Sequence, residues 1–240
     1  MNPKTGRSAV SLILYELTGR NGERYSQFSW RSRLALAHMG LETETRPVRV
    51  SDKETIAFSG QKNVPILVAG STVVPDSWRI AEYLAAEYPS KPSLFGCEAG
   101  RGLARFVNAW VDRQVIPHVV PLLMIDVIDC VDVEDGLHLR GQMEKAFRNT
   151  LETLAENRNT DIVAFRRLLD PARTTLRAQP FLSGSKPAYA DYILFSVFQW
   201  ARIVSRCDLL ESGDAVADWR ERMLDLFGGL ARAEPARSGP

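Results

Sequence analysis

Asn63-Val64-Pro65-Ile66-Leu67 and, eleven residues after the proline, Asp76-Ser77-Trp78-Arg79-Ile80 carry the strongest structural signal in this 240-residue chain. Proline cannot donate a hydrogen bond to a strand ladder, so Pro65 is expected to open an edge strand or to follow a bend. Asp76 and Ser77 have side chains that accept hydrogen bonds from the free N–H groups at a helix start. The apolar residues after them recur at helical spacing. Together the two segments predict a strand that starts at Pro65 and a helix that starts close to Ser77.

The chain around this stretch alternates between strand and helix patterns. The predicted elements are a strand at Ser11–Tyr15, a helix over Phe28–Met39 with Trp30, Leu34, Ala37 and Leu41 at helical spacing, a strand at Thr43–Val50, a short helix or irregular stretch at Ser51–Ser59, and a hairpin of Ile66–Ala69 with Thr72–Val74 about Gly70-Ser71. A helix with Ile80, Leu84 and Tyr88 on one side then follows. The order βαβ followed by ββα is that of a thioredoxin-like sheet.

The second half of the chain has only helical patterns. Apolar residues recur at helical spacing in three sets: Leu103, Phe106, Val107 and Trp110; Met143, Phe147, Leu151 and Leu154; Trp219, Met223, Leu226 and Phe227. Tyr192–Val204 is apolar on nearly every face, which predicts a helix at the centre of its domain. We therefore expect an α/β thioredoxin-like domain at 1–88, a Pro- and Gly-marked linker at 89–98, and an all-helical domain at 99–240 whose tail frays after Ala231.

The composition argues against several classes of protein. Thirty basic and 29 acidic residues give a formal charge of +1, which implies neither a nucleic acid nor an anionic membrane as partner. The three cysteines are far apart and form no CxxC pair, so a disulfide framework and a zinc site are not expected, and a reducing cytoplasm fits. The apolar run Val10–Tyr15 is too short for a secretory signal or a membrane span, and reads instead as a buried first strand.

With these motifs in place, the sequence resembles the glutathione S-transferase family over almost its whole length. The resemblance implies that the main chain of Val64, turned outward before a cis Pro65, pairs with the cysteinyl backbone of glutathione like an added strand. It implies that Asp76 and Ser77 receive the γ-glutamyl end of glutathione at the helix start. Lys62 or Lys53 would meet the glycyl carboxylate. Glutathione is thus the expected co-substrate, and a homodimer is the expected assembly.

A third motif lies ahead of the apolar helix. Gly184-Ser185-Lys186-Pro187-Ala188-Tyr189-Ala190-Asp191 resembles the capping box of the family's central helix, where Ser or Thr stands three residues before the Asp. Here Ala188 stands in that place. The missing cap hydroxyl is expected to cost about 0.5–2 kcal/mol of helix stability without affecting the ligand site.

The residue that activates the thiol should lie at the end of the first strand or the start of the first helix. A free thiol titrates near ~8.5, so an enzyme must favour the thiolate with a donor. The candidates are Tyr15, Thr18, Tyr25, Ser26 and Ser29. Because no cysteine stands there, mixed-disulfide chemistry of the omega or glutaredoxin type is disfavoured. Ser26-Gln27-Phe28-Ser29-Trp30-Arg31 and the run at 76–84 are similar to bacterial β-etherase-like and fungal ether-cleaving members, and Ser26 matches their serine.

The resemblance implies a cytoplasmic enzyme in which the thiolate attacks an apolar electrophile, with cleavage of an aromatic ether as one form of the reaction and detoxification or aromatic compound metabolism as its setting. The electrophile pocket is expected on the helix with Pro117 and Pro121, among His118, Val119, Val120 and Leu122–Met124. Two alternative functions remain: a binding protein without turnover, and a glutathione-dependent isomerase or peroxidase. No metal is expected, because His38, His118 and His138 share no ligand spacing.

Plainer structural roles remain open for the same residues. Pro65 would also suit the start of an edge strand in trans, and Ser77 or Ser26 would also suit a simple helix cap. Val119 and its neighbours would also suit the core of a helical bundle around a bend. The acidic residues Asp126, Asp129, Asp132, Glu134 and Asp135 do not have calcium-loop spacing and read as a solvated loop.

Overall fold

A computed structural model describes residues 11–237, and its N-terminal part is built on a four-stranded mixed sheet. The strands are β1 (Leu12–Leu17), β2 (Glu44–Val48), β3 (Ile66–Ala69) and β4 (Thr72–Pro75). They lie in the order β2-β1-β3-β4. β1 runs parallel to β2 and antiparallel to β3, which pairs with β4 as a hairpin. The predicted thioredoxin-like arrangement is therefore confirmed.

Each face of this sheet has its own apolar cover. Leu12 and Leu14 pack with the apolar sides of helices α1 (Gln27–His38) and α2 (Ser77–Glu87) in the main core. Tyr15 points to the opposite face, where it packs in a smaller cluster with Val48, Ile56 and Ile66. The one-turn 3₁₀ helix Ala57–Ser59 follows Ile56 in the chain. The alternation follows from the two-residue period of a strand, which sends neighbouring side chains to opposite faces.

The remainder of the described chain is helical. The helices are α3 (Glu98–Trp110), α4 (Ile116–Ile128), α5 (Val133–Phe147), α6 (Leu151–Glu156), α7 (Arg158–Leu168), α8 (Asp170–Ala178), α9 (Tyr189–Val204), α10 (Ala215–Leu224) and the short α11 (Leu226–Gly229). A π-helical segment, Val111–Val115, joins α3 to α4 without a break. Pro117 and Pro121 follow it, and both lack the N–H that a regular α-helical ladder requires at their positions.

Helix α9 is the centre of the helical part, as its apolar sequence predicts. Every residue of the helix except Arg202 is buried. Ala188 leaves the cap without a hydroxyl, but the carboxylate of Asp191 accepts hydrogen bonds from the N–H groups of Leu182, Ser183 and Ala188. Asp191 also accepts from the Trp219 indole at 3.0 Å. The helix start is therefore held by one buried carboxylate in place of a reciprocal box.

None of the three periodic sets of the second half forms one continuous buried helical face. Leu103 is 55% exposed and Phe106 is 68% exposed, because the buried side of α3 is the one that carries Ala104 and Asn108. The set Met143 to Leu154 spans two helices, since Arg148 adopts a left-handed conformation (φ 54°) that ends α5. Phe227, also left-handed (φ 54°), lies beyond the end of α10. Periodicity alone does not reveal such breaks.

Two further expectations are wrong. The acidic segment is not simply a solvated loop, because Asp135 is buried and accepts hydrogen bonds from the N–H groups of Val50 and Ser51 at 2.9 and 2.8 Å. The tail does not fray at Ala231, because residues up to 237 are bonded to the helical core. The residues before 11, which include the start of the predicted apolar run, lie outside the described part. Between residues 11 and 237 no helix is long and apolar enough to cross a membrane.

Candidate functional site

The motifs at Asn63–Leu67 and Asp76–Ile80 meet at one end of the sheet. In the β3–β4 hairpin Ile66 is paired with Pro75, and the N–H of Asp76 donates to the carbonyl of Pro65 at 3.2 Å. The Val64–Pro65 peptide bond is cis. The residues just before β3 and just after β4 are therefore neighbours. Val64 and Ser77 lie at the same end of the sheet.

Both of these neighbours have main-chain groups available for a ligand. Neither the N–H nor the C=O of Val64 has a hydrogen-bond partner among residues 11–237. Within the same range the N–H and hydroxyl of Ser77, the first residue of α2, also have none, although the residue is only 2% exposed. A strand-like amide edge thus stands beside a helix N-terminus, which favours an anionic group.

Asp76 shapes this helix start. Its carboxylate accepts hydrogen bonds from the N–H groups of Trp78 at 3.0 Å and Arg79 at 3.1 Å. Its backbone has φ 69° and ψ 133°, a conformation that non-glycine residues rarely adopt. The cap satisfies the second and third N–H groups of the helix, and the N–H of Ser77 is left without a partner among residues 11–237.

Ser26 lies at the same end of the sheet. Tyr15 of β1 is paired with Ile66 of β3, so the C-terminal end of β1 and the loop that follows it lie beside Pro65. Ser26 ends that loop and is the N-cap of α1, where its hydroxyl oxygen accepts a hydrogen bond from the N–H of Ser29 at 3.3 Å. A hydroxyl that accepts as a cap keeps its own proton free to donate. The cap role and a donor role are therefore compatible.

The other hydroxyl candidates are placed less well. Tyr15 faces the opposite side of the sheet, and its hydroxyl accepts a hydrogen bond from Arg46 at 3.1 Å. Tyr25 is buried, and this burial raises the pKa of its phenol. Thr18 is buried and donates its N–H to Val48. Ser29 is 2% exposed, and its hydroxyl has no partner within the described chain.

The two lysines expected near the ligand lie on the approach to Val64. The ammonium of Lys53 donates to the carbonyl oxygen of Lys62 at 3.0 Å, and both residues are exposed. This bond holds the ammonium of Lys53 within two residues of the free edge at Val64. Lys53, which the sequence offered only as the second choice, thus has the more defined position.

A buried arginine joins the two halves of the molecule near this site. The guanidinium of Arg31, on α1, donates to Asp112 at 2.8 Å and to Asn108 at 3.2 Å. It also donates to Ser196 of α9 at 3.3 Å. Asp112 lies in the π-helical segment, and wider helical turns of this kind are frequent at functional sites. No local sequence signal distinguishes this arginine from a surface one.

Most of the apolar residues expected to line a pocket on α4 lie in the core. Val119, Leu122 and Leu123 are fully buried in the core, and Met124 is nearly so, while His118 is exposed and bonded to the carbonyl of Gln114. An open groove of about 560 Å³ instead runs between α2 and α3, lined by Asp76, Trp78, Arg79, Glu82, Glu98, Arg101, Gly102 and Arg105. In the part of the chain that the structure describes, no group of three or more His, Cys, Asp or Glu side chains is arranged to hold a metal ion.

Two family models match the chain. The model described as "Glutathione S-transferase, N-terminal domain" matches residues 25–87, and the one described as "Glutathione S-transferase, C-terminal domain" matches residues 102–226. Among curated proteins, the chain is 31% identical over 94 residues to "Probable glutathione S-transferase parA" of Nicotiana tabacum. That match covers 38% of this chain and 43% of the tobacco protein, less than half of its length.

Solved structures show the same fold over nearly the full chain. Glutathione transferase GSTFuA3 of Phanerochaete chrysosporium superposes with a TM-score of 0.75 at 22% identity, covering 97% of this chain and all of that one. A glutathione S-transferase of Ceriporiopsis subvermispora, solved in complex with glutathione, has a TM-score of 0.74 at 18% identity, covering 93% and 94% of the two chains. At these identities the likeness establishes the architecture alone.

Proposed function

The chain belongs to the glutathione S-transferase family, and on that premise we propose that it is a glutathione transferase acting on an apolar electrophile. In this proposal the domain at residues 1–88 binds glutathione, the domain at residues 99–240 binds the electrophile, and residues 89–98 link the two domains. The observation that carries the proposal is the free amide edge of Val64 beside the free N–H and hydroxyl of Ser77. The two groups suit the central backbone and the γ-glutamyl end of a small peptide.

Glutathione would lie across this edge as an extra strand. Its cysteinyl backbone pairs with the N–H and C=O of Val64, and its γ-glutamyl carboxylate accepts from Ser77 at the start of α2. The carboxylate of Asp76 lies within reach of the γ-glutamyl ammonium. Lys53 and Lys62 approach from the other side and meet the glycyl carboxylate, which places their positive charge beside that carboxylate.

Ser26 would donate its hydroxyl proton to the glutathione sulfur. Lowering the thiol pKa by about two units requires roughly 2.7 kcal/mol of extra stabilisation of the thiolate. One hydrogen bond to a charged acceptor, together with the N-terminus of α1, supplies an amount of that size. Ser29 is the alternative donor, but its hydroxyl is more deeply buried than that of Ser26.

The reaction is a displacement at carbon. The thiolate sulfur forms a bond to an electrophilic carbon, and the leaving group departs with the electron pair of the broken bond. For an aryl ether the broken bond is carbon to oxygen, and the phenolate takes a proton from water. The stretch at 26–31 and the run at 76–84, which resemble those of ether-cleaving members, support this substrate class. Detoxification and the metabolism of aromatic compounds are the settings for such a reaction.

A second copy of the chain is the proposed partner on α3. Leu103 and Phe106 are exposed apolar residues on one side of this helix, and Val73 of β4 is exposed as well. Gly102 lies next to them, and a Cβ built there meets nothing within 4 Å in the described part of the chain. Glycine in a helix costs about 1 kcal/mol relative to alanine, so close approach of another helix is a physical reason for it. The three unpaired cysteines suit the proposed cytoplasmic location.

Steady-state rates with three classes of electrophile test the proposed reaction: a β-aryl ether, a halogenated aromatic compound and an organic peroxide. Wild type is expected to consume glutathione with the ether, and Ser26→Ala is expected to lose about tenfold or more of that rate while binding glutathione. Ser32→Ala, another buried hydroxyl of α1, is the matched control. Glutathione binding without turnover of any of the three compounds would contradict the enzymatic proposal and favour a binding protein. Turnover of the peroxide alone would favour a peroxidase.

A further inference from the structure

The loop that leads to Ser26 is bonded to residues of the helical domain. This loop, residues 18–25, connects β1 to α1 and makes few hydrogen bonds with the sheet. The C-terminal tail crosses it, and the carboxylate of Glu234 accepts a hydrogen bond from the N–H of Arg24 at 2.8 Å. That N–H lies two residues before Ser26. The side chain of Glu234 is only 10% exposed, so the bond is shielded from water.

The carbonyl and the guanidinium of Arg24 are bonded to residues of the sheet domain. The indole N–H of Trp30 donates to the carbonyl of Arg24 at 2.6 Å. The guanidinium of Arg24 forms an ion pair with Glu16, which is fully buried, at 2.7 Å. Both backbone groups of Arg24 are therefore engaged, the carbonyl from α1 and the amide from the tail. Removing the Glu234 carboxylate would release the only partner of that amide within residues 11–237.

The tail that presents Glu234 is itself fixed to the central helix. Gln199 donates to the carbonyl of Ala231 at 2.8 Å, and Arg202 donates to the carbonyl oxygens of Ala231, Arg232 and Glu234. The N–H of Arg237 donates back to the carbonyl of Arg202 at 2.9 Å. Residues 231–237 thus form a strap, anchored on α9, that crosses the loop before Ser26.

A second contact from the helical domain holds the start of the same loop. The N–H of Arg20 donates to the carbonyl of Cys130 at 2.9 Å, and its guanidinium donates to the carbonyl of Asp129 at 2.5 Å. Gly19 is required for this approach, since a Cβ there would lie 2.5 Å from the Cys130 oxygen. The loop is therefore held at both ends by the helical domain, and Glu234 is the contact nearer to Ser26.

We propose that Glu234 is a positioning residue for Ser26: by bonding the Arg24 amide, it fixes the loop so that the Ser26 hydroxyl is aimed at the sulfur of bound glutathione. This inference rests on the proposed role of Ser26. A hydrogen bond to a charged acceptor is lost when its direction drifts, and small displacements of catalytic groups reduce rates strongly. The effect should appear in the ionisation of the thiol more than in the binding of the peptide.

The test compares Glu234→Ala, Glu234→Gln and Ser26→Ala, with Glu211→Ala as a control. Glu211 is an exposed carboxylate paired with Arg166 of α7. The pH dependence of the conjugation rate with the responding electrophile is measured, together with the calorimetric affinity for glutathione and amide hydrogen exchange over residues 18–30. Glutamine retains an oxygen that accepts from Arg24, so it separates the hydrogen bond from the charge.

Glu234→Ala is expected to raise the pH at which the rate reaches half its maximum by about one unit, the equivalent of one hydrogen bond, with a loss of about threefold at neutral pH that grows to about tenfold at pH values well below the half-maximum. Glutathione affinity should stay within about threefold of wild type, exchange at Arg24 should accelerate, and Glu234→Gln should restore most of the rate. An unchanged pH profile in Glu234→Ala, with Ser26→Ala inactive, would overturn the inference and leave the proposed function intact.

Two other outcomes are also decisive. A wild-type profile in Ser26→Ala would remove Ser26 from the reaction and the inference with it, which separates that failure from the one above. If Glu234→Ala does not fold, Glu234→Asp replaces it, because the shorter side chain withdraws the carboxylate from Arg24 while it retains the charge. Identical profiles for Glu234→Asp and Glu234→Gln would then contradict a positioning role.

Discussion

The hydroxyl of Tyr189 donates a hydrogen bond to the carbonyl oxygen of Ser77 at 2.7 Å, and the two residues are 112 positions apart in the chain. Tyr189 is the first residue of α9 and Ser77 is the first residue of α2. Tyr189 is fully buried, and its ring packs edge-on against Trp78 at 5.8 Å and Phe95 at 5.5 Å. The central helix of one domain therefore helps to fix the position of Ser77, the proposed ligand-binding residue of the other domain.

Tyr189→Phe should weaken glutathione binding. The substitution keeps the ring but removes one of the two donors of the Ser77 carbonyl, which retains only the helical N–H of its own α2, a loss of about 0.5–1.5 kcal/mol at the start of that helix. We expect the dissociation constant for glutathione to rise about threefold to tenfold by calorimetry. Tyr192→Phe, which removes a buried hydroxyl of the same helix bonded to His38, is the control and should bind like wild type. Equal affinities for the two variants would argue against the coupling.

Substitutions of Asp76 should separate helix capping from ligand binding. Asp76→Ala loses the cap and keeps a side chain at φ 69°, so unfolding should become easier by about 0.5–2 kcal/mol. Asp76→Gly relieves the backbone conformation and should lose only a few tenths. Both variants lack the carboxylate, so both should bind glutathione more weakly. Chemical denaturation and calorimetry on the same preparations check this, and a glycine variant with full affinity would exclude Asp76 from the site.

The local parts of this structure were predictable because their signals are local. The cap at Asp76, the turn proline at Pro65 and the all-round apolar helix Tyr192–Val204 each depend on neighbouring residues, and each appears as expected. Ser26 as the N-cap of α1 likewise follows from its position before a helical pattern.

The long-range contacts could not be predicted, because the type of a residue does not reveal which distant part of the chain it contacts in the fold. Asp135 bonds the main chain at Val50 and Ser51, yet it stands in an acidic run that resembles a solvated loop. Phe106 has the helical spacing of a core residue, yet no part of the described chain covers it. Periodicity identifies an apolar face without naming what covers it.

His38 should make stability depend on pH. Burial lowers the pKa of its imidazole below the unfolded value of about 6.5. The folded state therefore binds fewer protons than the unfolded state, so the stabilisation is present above about pH 6.5 and is lost as the pH falls through the folded pKa. Denaturant midpoints between about pH 8 and pH 5 should fall for wild type and fall less for His38→Gln. Parallel curves for the two proteins would show that His38 does not carry the dependence.

Phe106→Glu should prevent self-association if α3 is the dimer face. A charge introduced into an apolar interface is left desolvated without a partner, which costs several kcal/mol. Sedimentation should give a dimer for wild type and a monomer for this variant, with the helical content unchanged. Val163→Glu, at an exposed apolar residue of α7, is the control and should remain dimeric. A Phe106→Glu dimer would place the interface elsewhere.

Calorimetric titration of glutathione at neutral pH, in buffers with different ionisation enthalpies, tests the central claim directly because it reports binding and proton release together. We expect one glutathione to bind per chain with the release of a large fraction of a proton, since the site ionises a thiol that is mostly protonated in water. Ser77→Ala should weaken this binding, and Ser26→Ala should retain binding but release fewer protons. Binding with no proton release, or no binding at all, would contradict the claim that Val64 and Ser77 hold the peptide while Ser26 stabilises its thiolate.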